Sequence, residues 1–217
     1  NSNKEIVDKS FRCICDELNI NFNNLTRPFQ THTNKIEDIK TKKTYEELEN
    51  VDGVITNINN IPLATTNADC ILYLIFDKEN KVIGSIHSGW RGTYQRIIEN
   101  AVDLMIKEYD SKVENIMIFI CPSIRRCHFE VSSDVKDMFK ERFEFTNKLD
   151  EIIYDGEKEN KYYIDTVHLN NILLENKGIL KENIIDSLIC SVCNSEKISS
   201  YRVEGKDFIS STAIISL

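Results

Sequence analysis

Residues 69–93, which read DCILYLIFDKENKVIGSIHSGWRGT, contain the strongest structural signal of the chain. Two apolar runs, Cys70–Phe76 and Lys81–His87, flank the polar turn Asp77–Asn80, a pattern that predicts a β-hairpin. The first run is apolar on both faces, which is typical of a strand in the middle of a sheet. In Thr93–Tyr109 the apolar residues recur on one helical face. We therefore predict a buried hairpin that leads into a helix.

The register of this hairpin places a thiol near an imidazole. With the turn centred on the bond between residues 78 and 79, Cys70 lies directly opposite His87, with Cβ atoms about 5 Å apart. Such a pair can be a reactive thiolate–imidazole pair, two ligands of one metal ion, or a buried cysteine beside a hydrogen-bonded histidine. Asp69, at the strand end, is either a general base or part of the turn that precedes the strand.

The segment His87-Ser88-Gly89-Trp90-Arg91-Gly92-Thr93 connects the hairpin to the helix. Its two glycines let the backbone approach a ligand closely, and free N–H groups at a helix start favour an anion. Arg91 can hold a phosphate or carboxylate through bidentate hydrogen bonds. The glycine spacing fits neither a dinucleotide fingerprint nor a P-loop. The alternatives are therefore an anion-binding segment and a tight turn around a packed tryptophan.

Other histidines and cysteines give weaker local signals. His32, in a possible strand, is either structural or a ligand. Cys190 and Cys193 have a spacing that suits a redox motif or half of a zinc site, yet no second cysteine pair lies at a suitable distance in the sequence. We therefore expect both to be buried thiols between a strand and a loop.

The remaining periodicity predicts further elements before and after the hairpin. The predicted helices are Lys4–Leu18, Ser133–Phe143 and Val167–Lys177, and the predicted strands are Asp52–Thr56, Asn115–Cys121, Tyr162–Ile164, Ile184–Ile189, Ile198–Val203 and Phe208–Ile215. Strands that are joined both by a hairpin and by helices predict a mixed sheet with helices packed outside it.

The composition restricts the class of protein. The 217 residues suit one domain, and 27 Lys+Arg against 35 Asp+Glu give a net charge of −8, which argues against a nucleic-acid partner. The apolar runs are far shorter than the roughly 20 residues that span a bilayer, so we expect no membrane segment. The first five residues are polar and do not form a signal-peptide pattern. Seven unevenly spaced cysteines argue against a disulfide scaffold, and we predict a reducing, cytoplasmic location.

Seven segments share their motifs with one known family: Asp52–Thr56, Thr66–Cys70, His87–Thr93, Cys127–Val131, Asp165–Asn170, Cys190–Cys193 and Ser200–Arg202. They resemble the bacterial laccase-domain family, also called the multicopper polyphenol oxidase, purine nucleoside phosphorylase or peptidoglycan-editing factor family. The similarity runs from about Phe29 to the end of the chain. It implies one domain over 1–217 with an α+β fold, in which mixed sheets are sandwiched between helical layers (α/β/β/α) as in the cysteine-hydrolase-like fold of that family.

The resemblance also implies a site and an activity. It implies that His32, Cys70 and His87 hold a zinc ion, with Cu²⁺ as the alternative metal, and three protein ligands leave the open position that is typical of catalytic zinc. The implied activity is phosphorolysis of adenosine, inosine and methylthioadenosine, together with deamination of adenosine. The residues assigned to catalysis are Asp69, Cys70, His87 and Arg91, and those assigned to nucleoside or phosphate binding are Gln30, Gly89, Arg91 and Gly92.

Two departures from the family pattern bear on these expectations. Members usually carry some tens of residues before the first helix, including an Arg-Gly-Gly stretch, and we expect this chain to lack that segment. The family's Gly-Pro-Cys-Ile-Gly-Pro loop is replaced by Cys121-Pro122-Ser123-Ile124-Arg125-Arg126. We expect the two arginines to reshape one wall of the pocket and to favour an acidic or phosphate-bearing substrate.

Three rival functions remain open. A copper polyphenol oxidase would need more ligands for several coppers than four histidines provide. A Cys–His hydrolase that edits peptidoglycan precursors would use Cys70 as nucleophile and His87 as base. A non-enzymatic interaction module would use zinc only for stability. The metal content distinguishes them, since one zinc supports the nucleoside enzyme and copper supports the oxidase.

Overall fold

The computed structural model describes residues 2–217, with side chains from Lys4 onward; Asn1 lies outside the described residues. The helices are α1 (Ser2–Glu17), α2 (Trp90–Tyr94), α3 (Ile97–Tyr109), α4 (Ser133–Phe143), α5 (Leu149–Ile152), α6 (Thr166–Asn176) and α7 (Tyr201–Glu204). The strands are β1 (Ile36–Asp38), β2 (Gly53–Thr56), β3 (Leu63–Asn67), β4 (Ile71–Asp77), β5 (Val82–Ser88), β6 (Ile116–Ile120), β7 (Glu130–Ser132), β8 (Ile153–Asp155), β9 (Lys161–Ile164), β10 (Ile184–Asp186) and β11 (Ser211–Ile215).

The predicted hairpin forms the centre of a six-stranded sheet. The strand order is β1-β2-β5-β4-β6-β10, with β4 and β5 in the middle. The outer pairs β1–β2 and β6–β10 are parallel, whereas the inner strands are antiparallel. The prediction of a mixed sheet is therefore confirmed, and β5 is buried along its whole length.

Four layers enclose three cores. On one face of the large sheet, α3 and α6 cover a core that includes Tyr73, Ile86 and Ile118. On the other face, the two-stranded sheet β3–β11 packs against it, with Leu63 and Ile83 in the core between the sheets. Helix α1 covers the outside of β3–β11 through Phe11. The predicted α/β/β/α arrangement is confirmed.

The predicted helix Thr93–Tyr109 is two helices. Arg96 has a left-handed backbone conformation (φ 62°), which ends α2 and begins α3 in a new direction. The break separates two apolar faces: Trp90 and Tyr94 pack with Phe139 beside the small sheet β7-β9-β8, whereas α3 packs on the large sheet. A continuous helix could not reach both cores.

The strand prediction for Ile198–Val203 is wrong. Helix α7 begins at Tyr201, and the Glu204 carboxylate accepts hydrogen bonds from the Ser199 hydroxyl and the Ser200 N–H, which stabilise a turn rather than an extended chain. Two other predicted strands are longer than the observed ones, since β10 ends at Asp186 and β11 begins at Ser211.

Candidate metal-binding active site

Three residues from separate parts of the chain meet beside a large cavity: His32 in a loop, Cys70 just before β4 and His87 in β5. The ligand atoms of His32, Cys70 and His87 all lie within 4.8 Å of one another. The Cys70 Sγ is 3.7 Å from His32 Nε2, and the two imidazole rings meet edge to face with centroids 4.9 Å apart. The structure therefore brings together all three side chains that the family resemblance implied as metal ligands.

The hairpin register differs from the predicted one. His87 pairs with Leu72 rather than with Cys70, because Asp77 extends β4 and shifts the turn by one residue. The Asp77 carboxylate accepts the N–H groups of Glu79 and Asn80, which fixes the turn in this position. The loop still has an even length, so Cys70 stays on the face of His87 as a diagonal neighbour.

Asp52 organises the site, and sequence reasoning missed it. Its Oδ1 lies 2.7 Å from His87 Nδ1 and accepts the His32 N–H at 3.0 Å. Its Oδ2 accepts both the N–H and the hydroxyl of Thr33 at 2.7 Å, and the N–H of Thr31 at 3.2 Å. One fully buried carboxylate thus positions the His87 ring and the loop of His32, which has a left-handed backbone (φ 65°). The only signal was its place at the start of the Asp-Gly-Val-Ile-Thr motif.

The electrostatics of the cluster favour a thiolate. Burial opposes ionisation of Cys70, but hydrogen bonds and charge from His32 and His87 lower its pKa to about 6. Burial also opposes protonation of His87, yet the hydrogen bonds to Asp52 and Cys70 raise its pKa to about 9. Because Asp52 holds Nδ1, the His87 Nε2 is the ring nitrogen left for Cys70 or a metal ion.

Gly89 is required where the backbone passes the two ligands. A Cβ at this position would lie 2.6 Å from His32 Cδ2 and 3.1 Å from Cys70 Sγ. Both contacts are closer than packed carbon and sulfur atoms tolerate, so any larger residue must displace a ligand. Gly92 is buried against the side chains of Ile97 and Ser88. Neither glycine lines the cavity; they bring the chain close to the cluster and to α3.

The cavity has a volume of about 1250 Å³ and mixes polar with aromatic walls. Its described lining includes the three ligands, Gln30, Asp69, Arg202 and the aromatic rings of Trp90, Phe129, Tyr201 and Phe208. Ligand sites commonly measure about 300–1000 Å³ and combine apolar walls with a few polar groups. This space is large enough for a nucleoside and a phosphate together.

Asp69 and Gln30 line the cavity but are already hydrogen-bonded to the protein. The Asp69 carboxylate accepts the Ser191 hydroxyl at 2.6 Å and the Arg202 N–H at 2.7 Å, and its backbone is left-handed (φ 84°). The Gln30 amide pairs with the backbone N–H and C=O of Thr66, which ties the loop of His32 to β3. Gln30 therefore positions a ligand loop.

Three arginines lie elsewhere than the sequence suggested. Arg91 is exposed and is not part of the described cavity lining; its guanidinium lies over the Trp90 ring at 4.3 Å. Arg125 forms a bidentate ion pair with Asp186 at 2.6 and 2.7 Å, and Arg126 lies over the Tyr154 ring. The expectation that Arg125 and Arg126 reshape the pocket wall is wrong, because each already has a partner outside it.

The donor set of the cluster fits a catalytic zinc. One thiol and two imidazoles are ligands that Zn²⁺ prefers, and three ligands leave one position open toward the cavity. The hydrogen bond that the His87 Nδ1–H donates to the Asp52 carboxylate is the usual support for a metal-bound histidine. A second Cys/His group, Cys127, His128, Cys190 and Cys193, also lies within metal-binding distance. The expectation of buried thiols is confirmed for Cys190 and wrong for Cys193. Cys193 is in fact exposed.

No helix among residues 2–217 combines the length and the apolar character needed to cross a membrane.

This chain is similar to known proteins in both sequence and structure. The family model described as multi-copper polyphenol oxidoreductase laccase matches residues 1–216. A Staphylococcus epidermidis protein named purine nucleoside phosphorylase is 31% identical over 82% of this chain, and the mouse purine nucleoside phosphorylase LACC1 is 28% identical over 99% of it. The matched regions span 66% and 48% of those relatives.

Another relative and a solved structure are also similar to this chain. A prokaryotic protein named adenosine deaminase RL5 is 28% identical over 86% of this chain and is matched over 72% of its own length. The crystal structure of Bacillus licheniformis hypothetical protein YfiH superposes with a TM-score of 0.90 at 25% identity, over 97% of this chain and 80% of that chain.

Proposed function

Because this chain belongs to the multi-copper polyphenol oxidoreductase laccase family, we propose that it is a zinc-dependent enzyme of purine nucleosides. The proposed reactions are phosphorolysis of adenosine, inosine and methylthioadenosine, and deamination of adenosine. The observation that carries the proposal is the His32–Cys70–His87 cluster on the wall of a cavity of about 1250 Å³. Relatives that bear the names purine nucleoside phosphorylase and adenosine deaminase support the substrate class.

The metal ligands, the aromatic rings of the cavity wall and Asp52 have different proposed roles. A zinc ion held by His32, Cys70 and His87 supplies a Lewis acid with one open position when it is bound. The aromatic rings on the cavity wall stack on the purine and exclude water around it. Asp52 keeps the His87 ring and the His32 loop in place, so that the ligands are oriented before the metal binds.

Asp69 is the proposed proton carrier. In deamination, water adds to the purine C6; Asp69 takes a proton from that water and returns it to the leaving ammonia. In phosphorolysis, a phosphate oxygen attacks the ribose C1′ while the bond to the purine nitrogen breaks, and Asp69 relays the phosphate proton to that nitrogen. The bonds from Ser191 and Arg202 hold its two oxygens in a fixed orientation during these transfers.

The phosphate contact is assigned to Arg202 rather than to Arg91. Arg202 lines the cavity, and its guanidinium is held by the carbonyl oxygens of His128 and Glu130. The matched variants Arg91→Lys and Arg202→Lys test this assignment, since lysine keeps the charge but loses the planar fork. We expect only Arg202→Lys to raise KM for phosphate. A rise confined to Arg91→Lys would restore the sequence-based assignment.

The proposal is tested with adenosine and phosphate. Zinc-loaded protein should release adenine with ribose 1-phosphate, and inosine with ammonia, whereas chelator-treated protein and Cys70→Ala should release neither. The variant Cys13→Ser, which alters an exposed cysteine of α1, is the matched control and should keep full activity. If metal-free or Cys70→Ala protein released adenine or inosine at the full rate, the zinc mechanism would be wrong.

A thiol hydrolase is the second candidate, and one observation favours it. Cys70, with its pKa of about 6, His87 and Asp52 form a chain of thiol, imidazole and carboxylate, as in cysteine hydrolases. Metal analysis separates the two functions. Protein that carries no metal, and whose Cys70 alkylates with loss of hydrolysis of a muropeptide, would support the hydrolase.

A further inference from the structure

Four potential metal ligands outside the active site lie on two loops that follow neighbouring strands. Cys127 and His128 lie in the loop after β6, and Cys190 and Cys193 lie in the loop after β10. The two loops are tied by a bridge between Ser123 and Cys190, in which the Ser191 N–H donates to the Ser123 carbonyl at 3.0 Å. The parallel pairing of β6 with β10 thus brings together residues more than sixty positions apart.

Four of the six distances among the ligand atoms are close to the edges of a tetrahedron, and the other two are at most 4.8 Å. His128 Nδ1 is 3.2 Å from Cys127 Sγ, 3.5 Å from Cys193 Sγ and 3.7 Å from Cys190 Sγ. Cys127 Sγ and Cys193 Sγ are 3.9 Å apart. A zinc ion with bonds of about 2.3 Å to sulfur and about 2.0 Å to nitrogen requires edges of about 3.8 Å between sulfurs and about 3.6 Å from sulfur to nitrogen. All seven cysteines are free thiols, so no disulfide competes for these sulfurs.

The donor chemistry points to the same ion. Three thiols and one imidazole form a closed Cys₃His set, which leaves no open position for a substrate and is typical of structural zinc. Thiolates also select Zn²⁺ over the hard cations Mg²⁺ and Ca²⁺.

We propose that Cys127, His128, Cys190 and Cys193 form a second, structural zinc site that fixes the wall of the cavity behind Asp69. The loop of Cys190 carries Ser191, whose hydroxyl binds the Asp69 carboxylate. The loop of His128 receives a hydrogen bond from the Arg202 guanidinium, and the Arg202 N–H binds the same carboxylate. A metal ion that joins these loops holds both hydrogen-bond donors of Asp69 in place.

The first test is the number of zinc ions per chain after reconstitution with Zn²⁺ and gel filtration. We expect two for the unmodified chain and for Cys13→Ser, and one each for Cys70→Ser and for Cys193→Ser. The zinc count tests the second site separately from the proposed activity, because Cys70→Ser should empty only the first site and Cys193→Ser only the second. If Cys193→Ser retains as much zinc as the unmodified chain, the proposal is wrong.

A second test needs no variant and is therefore independent of whether Cys193→Ser folds. Cys127 and Cys193 are exposed, as is Cys13. After loading with Zn²⁺, we expect iodoacetamide to modify Cys13 rapidly and the other two slowly, and EDTA to accelerate the modification of Cys127 and Cys193 but not that of Cys13, as peptide mass spectrometry would measure. Equal modification before EDTA, or a disulfide between Cys127 and Cys193 in place of bound zinc, would overturn the proposal.

Discussion

The substitution Asp52→Asn tests the geometry of the active site most directly. The carboxylate lies at the centre of five hydrogen bonds, of which one orients His87 and the other four fix the loop that carries His32. Asparagine has nearly the same size but replaces one oxygen with an N–H₂ group. Whichever way the amide points, this donor faces a backbone N–H group that now donates to Asp52, either that of His32 or those of Thr31 and Thr33.

The expected magnitude follows from those contacts. If the amide nitrogen takes the place of Oδ2, the part-buried N–H groups of Thr31 and Thr33 lose their acceptor. Each such loss costs about 1–3 kcal/mol when the donor is buried, so we expect the free energy of unfolding to fall toward the lower end of about 2–6 kcal/mol, because Thr31 is exposed to water. The loss of orientation at His87 should weaken zinc binding and nucleoside turnover about 10- to 100-fold, the usual effect of removing such a support.

A competition assay with a chromophoric zinc chelator measures the effect of Asp52→Asn on zinc affinity. Asp77→Asn is the matched control, because Asp77 is also a buried carboxylate that accepts backbone N–H groups, but at the hairpin turn. It should lose stability and keep its zinc affinity. If Asp52→Asn binds zinc as tightly as the unmodified chain, then Asp52 does not position the ligands and our reasoning is wrong.

Three further predictions concern single residues. Gly89→Ala places a carbon 2.6 Å from His32 Cδ2 and should lower zinc affinity at least about tenfold, whereas Gly84→Ala, with no contact closer than 3.3 Å, should retain it in the same chelator assay. Burial opposes ionisation of Asp77, but the hydrogen bonds it accepts hold its pKa below the usual value. The ionised carboxylate therefore stabilises the fold above about pH 4, and this stabilisation is lost as the pH falls further. In urea unfolding, the stability of the unmodified chain should fall more steeply at acid pH than that of Asp77→Asn. Arg125→Ala breaks a largely buried ion pair and should cost about 3–5 kcal/mol in urea unfolding, with KM for phosphate unchanged; a raised KM would place Arg125 at the substrate.

Local patterns predicted much of the fold. The bounds of Ser133–Phe143 are those of α4, and the predicted hairpin is β4–β5. Helix α4 is specified by helical periodicity, since one of its faces is buried, whereas β4 and β5 are specified by continuous apolar runs, since both of their faces are largely buried. The break at Arg96 was missed because the apolar stripe continues through it and only the packing on two different cores requires a change of direction.

The candidate site was also predicted in part from local patterns and in part decided by packing. The even length of the hairpin loop, together with the alternation of side chains along strands, was enough to place Cys70 and His87 on one face, although the strand residue that pairs with His87 is Leu72, two residues further along. The role of Asp52 was not predictable in this way. It depends on β2 lying next to β5 and on a loop near residue 32 folding back over the strand end, and neither contact leaves a periodic signal in the sequence.

The sequence by itself determined the types of the main elements, the motifs of the laccase-domain family and the shared face of Cys70 and His87. Only the tertiary structure decided that Arg125 pairs with Asp186 instead of facing the cavity, and that Cys127 and His128 meet Cys190 and Cys193. The physical reason is sequence separation. Contacts between residues sixty or more positions apart depend on the order of strands in the sheet, and strand order is set by the packing of the whole chain.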